Sequence, residues 1–598
     1  MLFRSINRAN LLAKSFGSYE QALADYDLAL ALAPGDMGAL VNRGNVLVKL
    51  RRFEEAIASF DRGLAAAPGN IDALNNRVLA LKSLGRFEEA LAGCDRALAI
   101  NPNNPEILLT RGNALFDLNR YGEAVASYER ALAIKPDLDL APGANVYSRM
   151  IDCDWRNYDE LRRKLIALVR EGRLATSPFV MLGVACTAED QRKCAEILAR
   201  DDPAVVTPLW RGERYAHERI RVAYVSADFR EHPVSHLLAG LFEAHDRARF
   251  ETMAISLGAD DGSEVRARMM GAFERFVDAR GKSDADVARA MRALEVDIAI
   301  DLMGYTMHSR PALLAHRPAP IQVNYLGFAG TMGADHIDYI VGDRVVIPEG
   351  AQQYFSERVA YLPDTYFPYD SKRTISEQTP TRTEAGLPET GLVFCAYNNS
   401  YKITPQIFDV WMRLLLAVDG SVLWLSGTNA SAMRNLQREA TARGIDAGRL
   451  RFASRQKRME DHLARLRLAD LFLDTLPYGA HTTASDALWA GLPVLTCRGE
   501  TFAGRVAASL LNAVGLPEMV TENLADYEAL ALKLAREPVL LAAIKAKLAR
   551  NRDTCALFDT ARFARHIEAA YATMWEIWQR GEAPRSFSVE PVSTPMRQ

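Results

Sequence analysis

The sequence predicts an α-solenoid followed by an α/β region of two doubly wound, Rossmann-like units. Three observations carry this. A 34-residue period runs through residues 2–138. Strand and helix patterns alternate over residues 219–385 and again over residues 390–555. Within the second alternation, Leu476 to Gly491 reads as a tight turn and a helix start behind an apolar strand, Ala469 to Asp474.

At 598 residues the chain exceeds one domain. Its 49% hydrophobic and 25% charged residues are a globular composition. A net charge of −3 gives no mark of a nucleic-acid or membrane-surface protein. Seven cysteines, at 94, 153, 186, 194, 395, 497 and 555, form no CxxC pair and no zinc spacing, which points to a reducing cytoplasm. Arg4, Arg8 and Lys14 lie near the start without a long apolar core, unlike a secretory signal, and no stretch has the apolar length of a membrane span.

The repeat period rests on independent columns. Pro34, Pro68, Pro102 and Pro136 are each 34 residues apart, as are Tyr19, Phe53, Phe87 and Tyr121. Leu30, Leu64, Leu98 and Leu132 keep the step, and so do Arg43, Arg77 and Arg111. This pattern resembles the tetratricopeptide repeat, a helix pair that buries its apolar face only by stacking on its neighbours. Ala56, Ala90 and Ala124 would let the paired helices approach closely. The array implies a concave surface for a protein or peptide, with a spacer or dimerisation arm as the plainer alternative. It starts at residue 2 without an evident capping helix, so a shortened N-terminus or pairing with a second copy is expected. Residues 139–215 read as a helical connector without chemistry, with Leu161, Leu165 and Leu168 on one side of a helix over 158–170 and with Pro203 and Pro208 loosening the pattern.

The first α/β unit, 216–388, has strands expected at 219–226, 250–257, 296–303 and 321–326. Ligands of such sheets bind beyond the carboxyl ends of strands. Three loops qualify there. One runs from Asp228 to His236, one follows Asp301, and one is the glycine-bearing loop Leu326 to Gly330. His232 and His236 are four apart across Pro233, which suits a first helical turn. The spacing could hold a metal, but no carboxylate completes a set. His232, nearer the strand end, is the preferred general base; His236 reads as structural.

The second unit, 389–582, has strands expected at 392–397, 421–426, 450–454, 469–474 and 493–497. Thr404 and Pro405 make an N-cap and N1 pair, and Lys402 before them stands at a strand end. Lys402 is there to reach a ligand, or is a solvated surface lysine. In the turn that follows Asp474, Thr482 or Thr483 would cap a helix ended by Gly491, with Asp486 on the threonine face. Free N–H groups and the helix dipole suit a phosphate, and Asp486 suits a sugar hydroxyl. An ordinary βα turn fits the stretch equally well. Residues 583–598 are rich in Pro and Ser and read as a disordered tail.

Tandem doubly wound units with an anion site in the second have the layout of GT-B glycosyltransferases. The motifs HPVSH, RPAPIQVNYLGFAGT, YKITP, LDTLPYGAHTTASDALWAG and GETFAGRVAAS, in that order after the repeats, resemble the O-linked N-acetylglucosamine transferase and SPINDLY family. The resemblance covers nearly the whole chain. It implies inverting, metal-independent transfer of a sugar, GlcNAc from UDP-GlcNAc foremost, onto protein Ser or Thr. Alternatives are fucosyl transfer as in SPINDLY, transfer to Asn or a small acceptor, and a repeat-based scaffold with a decayed catalytic unit. By motif the resemblance assigns His232 as general base, Lys402 to the donor diphosphate, and Thr482 and Thr483 to the diphosphate-binding helix. It assigns Asp486 to the ribose, His462 and His481 to the nucleotide, and Leu326 and Gly327 to the transferred sugar. Asn399 stands where the animal transferases have a glutamine. Met459 stands where they have a lysine, with Lys457 and Arg458 close by. Retention of His232, Lys402, the threonines and Asp486 favours an enzyme.

Overall fold

The computed structural model describes residues 2–15, 18–201, 207–427 and 429–592. Pro203 and residues 593–598 lie outside these. The chain divides into two compact units: residues 1–149 with 281–287, and the remainder.

The first unit contains four helix pairs, Leu2–Ser15 with Tyr19–Leu32, Met37–Lys49 with Phe53–Ala66, Ile71–Ser83 with Phe87–Ile100, and Pro105–Asp117 with Tyr121–Ile134. Each repeating column has a physical role. Asp36, Asn70 and Asn104 cap the first helix of successive pairs, accepting from the N–H of Ala39, Ala73 and Ile107 at 2.7–2.9 Å. Arg43, Arg77 and Arg111 donate through Nε to Asp27, Asp61 and Asp95 at 2.6–2.7 Å. Ala56, Ala90 and Ala124 are wholly buried at the helix contacts. Gly112 packs so closely on Tyr128 that a Cβ there would lie 2.3 Å from the ring. The helical unit continues past the expected boundary at 138. Leu138 and Ala141 pack with Leu108 and Ala131, and the unit runs to Arg149.

The second unit holds two parallel sheets. The first contains β1 (Ile220–Ser226), β2 (Phe250–Ser256), β3 (Arg275–Asp278), β4 (Ile298–Asp301), β5 (Ile321–Asn324), β6 (Tyr339–Gly342) and β7 (Arg358–Tyr361). The second contains β8 (Val393–Ala396), β9 (Val422–Ser426), β10 (Leu450–Ala453), β11 (Leu471–Leu473), β12 (Val494–Cys497) and β13 (Val520–Thr521). The first sheet is completed by β14 (Phe587–Ser588), in the order β14-β7-β6-β5-β4-β1-β2-β3. The order of the second is β10-β9-β8-β11-β12-β13. Strand order reverses between β1 and β4 in the first sheet, and between β8 and β11 in the second. Such switch points open a crevice at the strand carboxyl ends.

The tail departs from its expected disorder. β7 would otherwise present an open edge, and β14 pairs with it in parallel, placing Phe587 opposite Ala360. Val589 N–H donates to Tyr361 O at 2.9 Å, and the Phe587 ring meets Tyr339 at 6.0 Å. The Pro and Ser content hid two apolar residues that fit a sheet edge. Before β14, the helix Thr560–Gln579 crosses back to the first sheet. There Tyr571 meets Tyr224 OH at 3.2 Å, and Glu568 Oε1 meets His245 Nδ1 at 2.9 Å.

Candidate active site at two strand-order reversals

At the first reversal, the loop after β1 carries His232 and β4 ends at Asp301. His232 is the N-cap of the helix Pro233–Ala244, its Nδ1 accepting from Val234 N–H at 3.3 Å. Asp228 Oδ2 stands 3.5 Å from the same Nδ1. Burial pushes the His232 imidazole below its ordinary value, with Asp228 opposing. It is therefore neutral near pH 7 and able to take a proton. Asp301 is buried and accepts the N–H groups of Met303 at 2.8 Å and Gly304 at 3.2 Å. Burial raises its carboxyl to about 6. On the next strand over, Gly327 follows Leu326 beyond β5. A Cβ at Gly327 would lie 1.9 Å from Leu302 O, so the two loops require glycine to pass. Leu326 itself holds φ of 68°. His236 pairs with Glu231 through Nε2 at 2.7 Å, away from any metal set. Among the described residues, no group of three or more His, Cys, Asp or Glu side chains could hold a metal ion.

At the second reversal, Lys402 follows β8 and Asp474 follows β11. Lys402 is buried. Its Nζ donates to Gly479 O at 2.8 Å and lies 3.8 Å from the centroid of the Tyr478 ring. Burial lowers the lysine's pKa, and the Asp474 charge partly restores it. Asp474 is satisfied on both oxygens. Oδ1 accepts from Thr475 N–H at 2.7 Å and Ala480 N–H at 2.6 Å, and Oδ2 accepts from Thr496 Oγ1 at 2.7 Å. Asn398 ties this carboxylate to the helix behind it, donating to Thr475 Oγ1 at 2.8 Å and accepting from Thr483 Oγ1 at 2.6 Å.

The helix after this turn spans Thr482–Ala490 and ends at Gly491 in the left-handed region, φ 87°. Its N-cap is His481, not Thr482 or Thr483, and no side chain caps it. Thr483 is instead spent on Asn398, which leaves the first N–H groups of the helix uncapped by side chains. That is the condition of an anion site. His481 Nε2 meets Ala503 O at 3.0 Å, and burial with the Lys402 charge drives its imidazole well below the ordinary value. His462 pairs through Nδ1 with Arg465 Nη2 at 2.8 Å and is lowered to about 4, chiefly by burial. Asp486 is not left open for a hydroxyl on both oxygens: its Oδ1 accepts from Arg373 Nη1 at 2.6 Å. Asn399 and Lys457 are exposed.

The connector, read from sequence as helical and without chemistry, packs against this turn. Phe179, in the short helix Pro178–Gly183, stands 6.0 Å from the Tyr401 ring and 6.4 Å from Tyr478. Tyr401 and Tyr478 are 5.9 Å apart, so rings from three segments cluster around the Tyr478 ring that Lys402 meets. Leu182 of the same helix lies against Gly330 of the first sheet's glycine loop, 3.4 Å from where a Cβ would stand. Sequence reading passed over Phe179, Arg373, Asn398 and Tyr478. Only Asp474, ending an apolar strand, carried a visible mark.

Two doubly wound sheets, one with a histidine beyond its switch point and one with a buried lysine near a helix N-terminus, have the GT-B glycosyltransferase architecture. The chain belongs to glycosyl transferase family 41, whose profile matches residues 209–379 and 372–567. Tetratricopeptide repeat profiles match residues 11–71 and 81–149. The probable UDP-N-acetylglucosamine–peptide N-acetylglucosaminyltransferase SEC of Arabidopsis thaliana is 38% identical over 378 residues, covering 62% of this chain and 39% of that protein. The Caenorhabditis elegans UDP-N-acetylglucosamine–peptide N-acetylglucosaminyltransferase is 28% identical over 568 residues, covering 72% of this chain and 48% of its own. The chain thus spans less than half the length of these relatives. A solved structure of a Thermobaculum terrenum O-GlcNAc transferase mutant superposes with a TM-score of 0.67 at 27% identity, covering 91% of this chain and 98% of that one.

Replacing Lys402 should separate chemistry from folding. Asp474 keeps its other hydrogen bonds when the lysine is gone, so the fold should survive. Lys402→Ala should slow turnover by about 10²–10³, ~2.7–4 kcal/mol, the size expected where a lysine stabilises charge that develops in a transition state. Steady-state kinetics beside a thermal melt would check this, and near wild-type turnover would remove Lys402 from the mechanism.

Proposed function

We propose that this chain transfers GlcNAc from UDP-GlcNAc to Ser or Thr of proteins, with inversion and without a metal, and that its repeats hold the acceptor. The observation that carries the reading is the buried Lys402 beside an uncapped helix N-terminus, both at one switch point. A leaving nucleoside diphosphate develops negative charge as its bond to the anomeric carbon breaks. Lys402 and the N–H groups before Asp486 supply positive charge at that place without a cation. Asp486 would accept a ribose hydroxyl, and Leu326 and Gly327 would face the sugar.

The acceptor Oγ attacks the anomeric carbon from the side opposite the diphosphate. The electron pair of the breaking C–O bond stays on the diphosphate, and the hydroxyl proton goes to a base. His232 suits this role because burial keeps it neutral. Its tautomer matters. Acting through Nε2 requires the proton on Nδ1, which Asp228 favours and the Val234 N–H disfavours. Asp228 is then the group that orients the base. Asp301 is the weaker choice, since both its oxygens already serve backbone N–H groups.

Two measurements test the reading. The purified protein, given a panel of nucleotide sugars and a protein acceptor in EDTA, should turn over UDP-GlcNAc and add its mass to Ser or Thr. Preference for GDP-fucose, modification of Asn, loss of activity restored by manganese, or no turnover of any donor would each contradict it. A variant lacking residues 2–149, once shown to be folded by circular dichroism, should keep donor hydrolysis and transfer to a short peptide. Its kcat/KM on whole proteins should fall, because a solenoid groove binds extended segments and concentrates the hydroxyl at the site. Equal loss of all three activities would make the repeats a structural part of the catalytic body.

A further inference from the structure

Arg373 lies in the passage between the sheets, after β7 and before β8, where no motif marks it. Its guanidinium and the Asp486 carboxylate are each only 5% exposed, and Nη1 donates to Oδ1 at 2.6 Å. Among the described residues, Asp486 Oδ2 takes no hydrogen bond. The arginine is fixed from several sides. Its Cζ lies 4.9 Å from the centroid of the Tyr369 ring. Its carbonyl accepts from Trp489 Nε1–H at 3.2 Å, on the same helix as Asp486, and its N–H donates to Asp370 O at 3.1 Å.

The pair is not an economical way to stabilise a fold. Arg373 Nε and Nη2 are buried without partners. Unpaired buried N–H groups are costly, and apolar residues of similar volume often replace such pairs without loss. What the arrangement does achieve is orientation. One oxygen of Asp486 is held, and the other is left for an incoming donor group beside an uncapped helix N-terminus.

We propose that Arg373 is a positioning residue for the nucleotide: it fixes Asp486 through Oδ1 so that Oδ2 accepts a ribose hydroxyl of the nucleoside diphosphate. This rests on the reading of Asp486 as the ribose contact. The passage between the sheets therefore contributes to the second sheet's site. It does so by aiming a carboxylate without touching the ligand. The guanidinium also compensates that carboxylate's charge.

The test uses UDP, 2′-deoxy-UDP and 3′-deoxy-UDP as probes, with titration calorimetry on the full chain and donor kinetics alongside. Arg373→Met should weaken UDP binding and raise donor KM by about ten- to hundredfold, the effect of a charge-assisted hydrogen bond, with kcat changed much less. The loss should nearly vanish for whichever deoxy probe lacks the hydroxyl that Asp486 holds, because arginine and hydroxyl then act through one contact. Arg373→Lys keeps the charge but loses the planar fork, so it should raise KM by less; it also covers failure of the Met variant to fold. Asp486→Asn separates the two levels of the argument. If it weakens UDP binding while folded Arg373 variants bind as wild type, the role of Arg373 is overturned and the ribose reading stands. If Asp486→Asn leaves UDP binding unchanged, the ribose reading fails and this inference fails with it.

Discussion

A lysine ammonium removed from water is the constraint on which the second sheet's site depends. Lys402 and Asp474 lie in the segments that follow β8 and β11, the two strands that flank the reversal. Neither charge would be tolerable there without hydrogen-bond partners of its own. The carboxylate is accommodated by backbone N–H groups and Thr496, and the ammonium by Gly479 O and the Tyr478 ring. These partners fix the turn between Asp474 and His481, and that turn sets where the Thr482–Ala490 helix begins. The place where the helix dipole and the lysine converge is thus determined by how the sheet disposes of two buried charges.

Around this point the structure recruits groups from outside the sheet that carries it. Phe179 comes from the connector and Arg373 from the passage between the sheets. Leu182 of the connector also meets the glycine loop beyond β5. The connector therefore bears on loops of both sheets, so a change in its packing would reach the Tyr478 turn as readily as the glycine loop beyond β5. Unlike a plain linker, such a segment has reason to keep its aromatic and apolar residues.

The strands and helices with strong periodicity were legible in the sequence. The helix Tyr158–Arg170 falls where its apolar spacing placed it, and Thr404 and Pro405 open a helix as their chemistry predicts. β3, β6 and β7 went unread. Each is four residues long, too short to show alternation, and is made by pairing with neighbouring strands rather than by local preference. Among site residues, His232 and Lys402 could be found because they stand at strand ends. His481 as the N-cap could not, since threonines are the better capping residues in isolation and only the bond from Thr483 to Asn398 explains their other use. Arg373 had no local mark at all: its meaning comes from a contact with Asp486 across 113 positions of sequence.

The central claim is that Lys402 must be charged to receive the diphosphate, and the pH dependence of kcat/KM for the donor tests it most directly, because that ratio reports groups of the free enzyme. Burial lowers Lys402 from its ordinary 10.5, so the ammonium is lost as pH rises through the lowered value. Burial lowers His232 from 6.5, so the neutral base is lost as pH falls below that value. The account predicts a profile with an acid limb below pH 6.5 and an alkaline limb well below pH 10.5, the alkaline limb being absent from the residual activity of Lys402→Ala. A profile that stays level up to pH 10, or an alkaline limb that persists without the lysine, would contradict it.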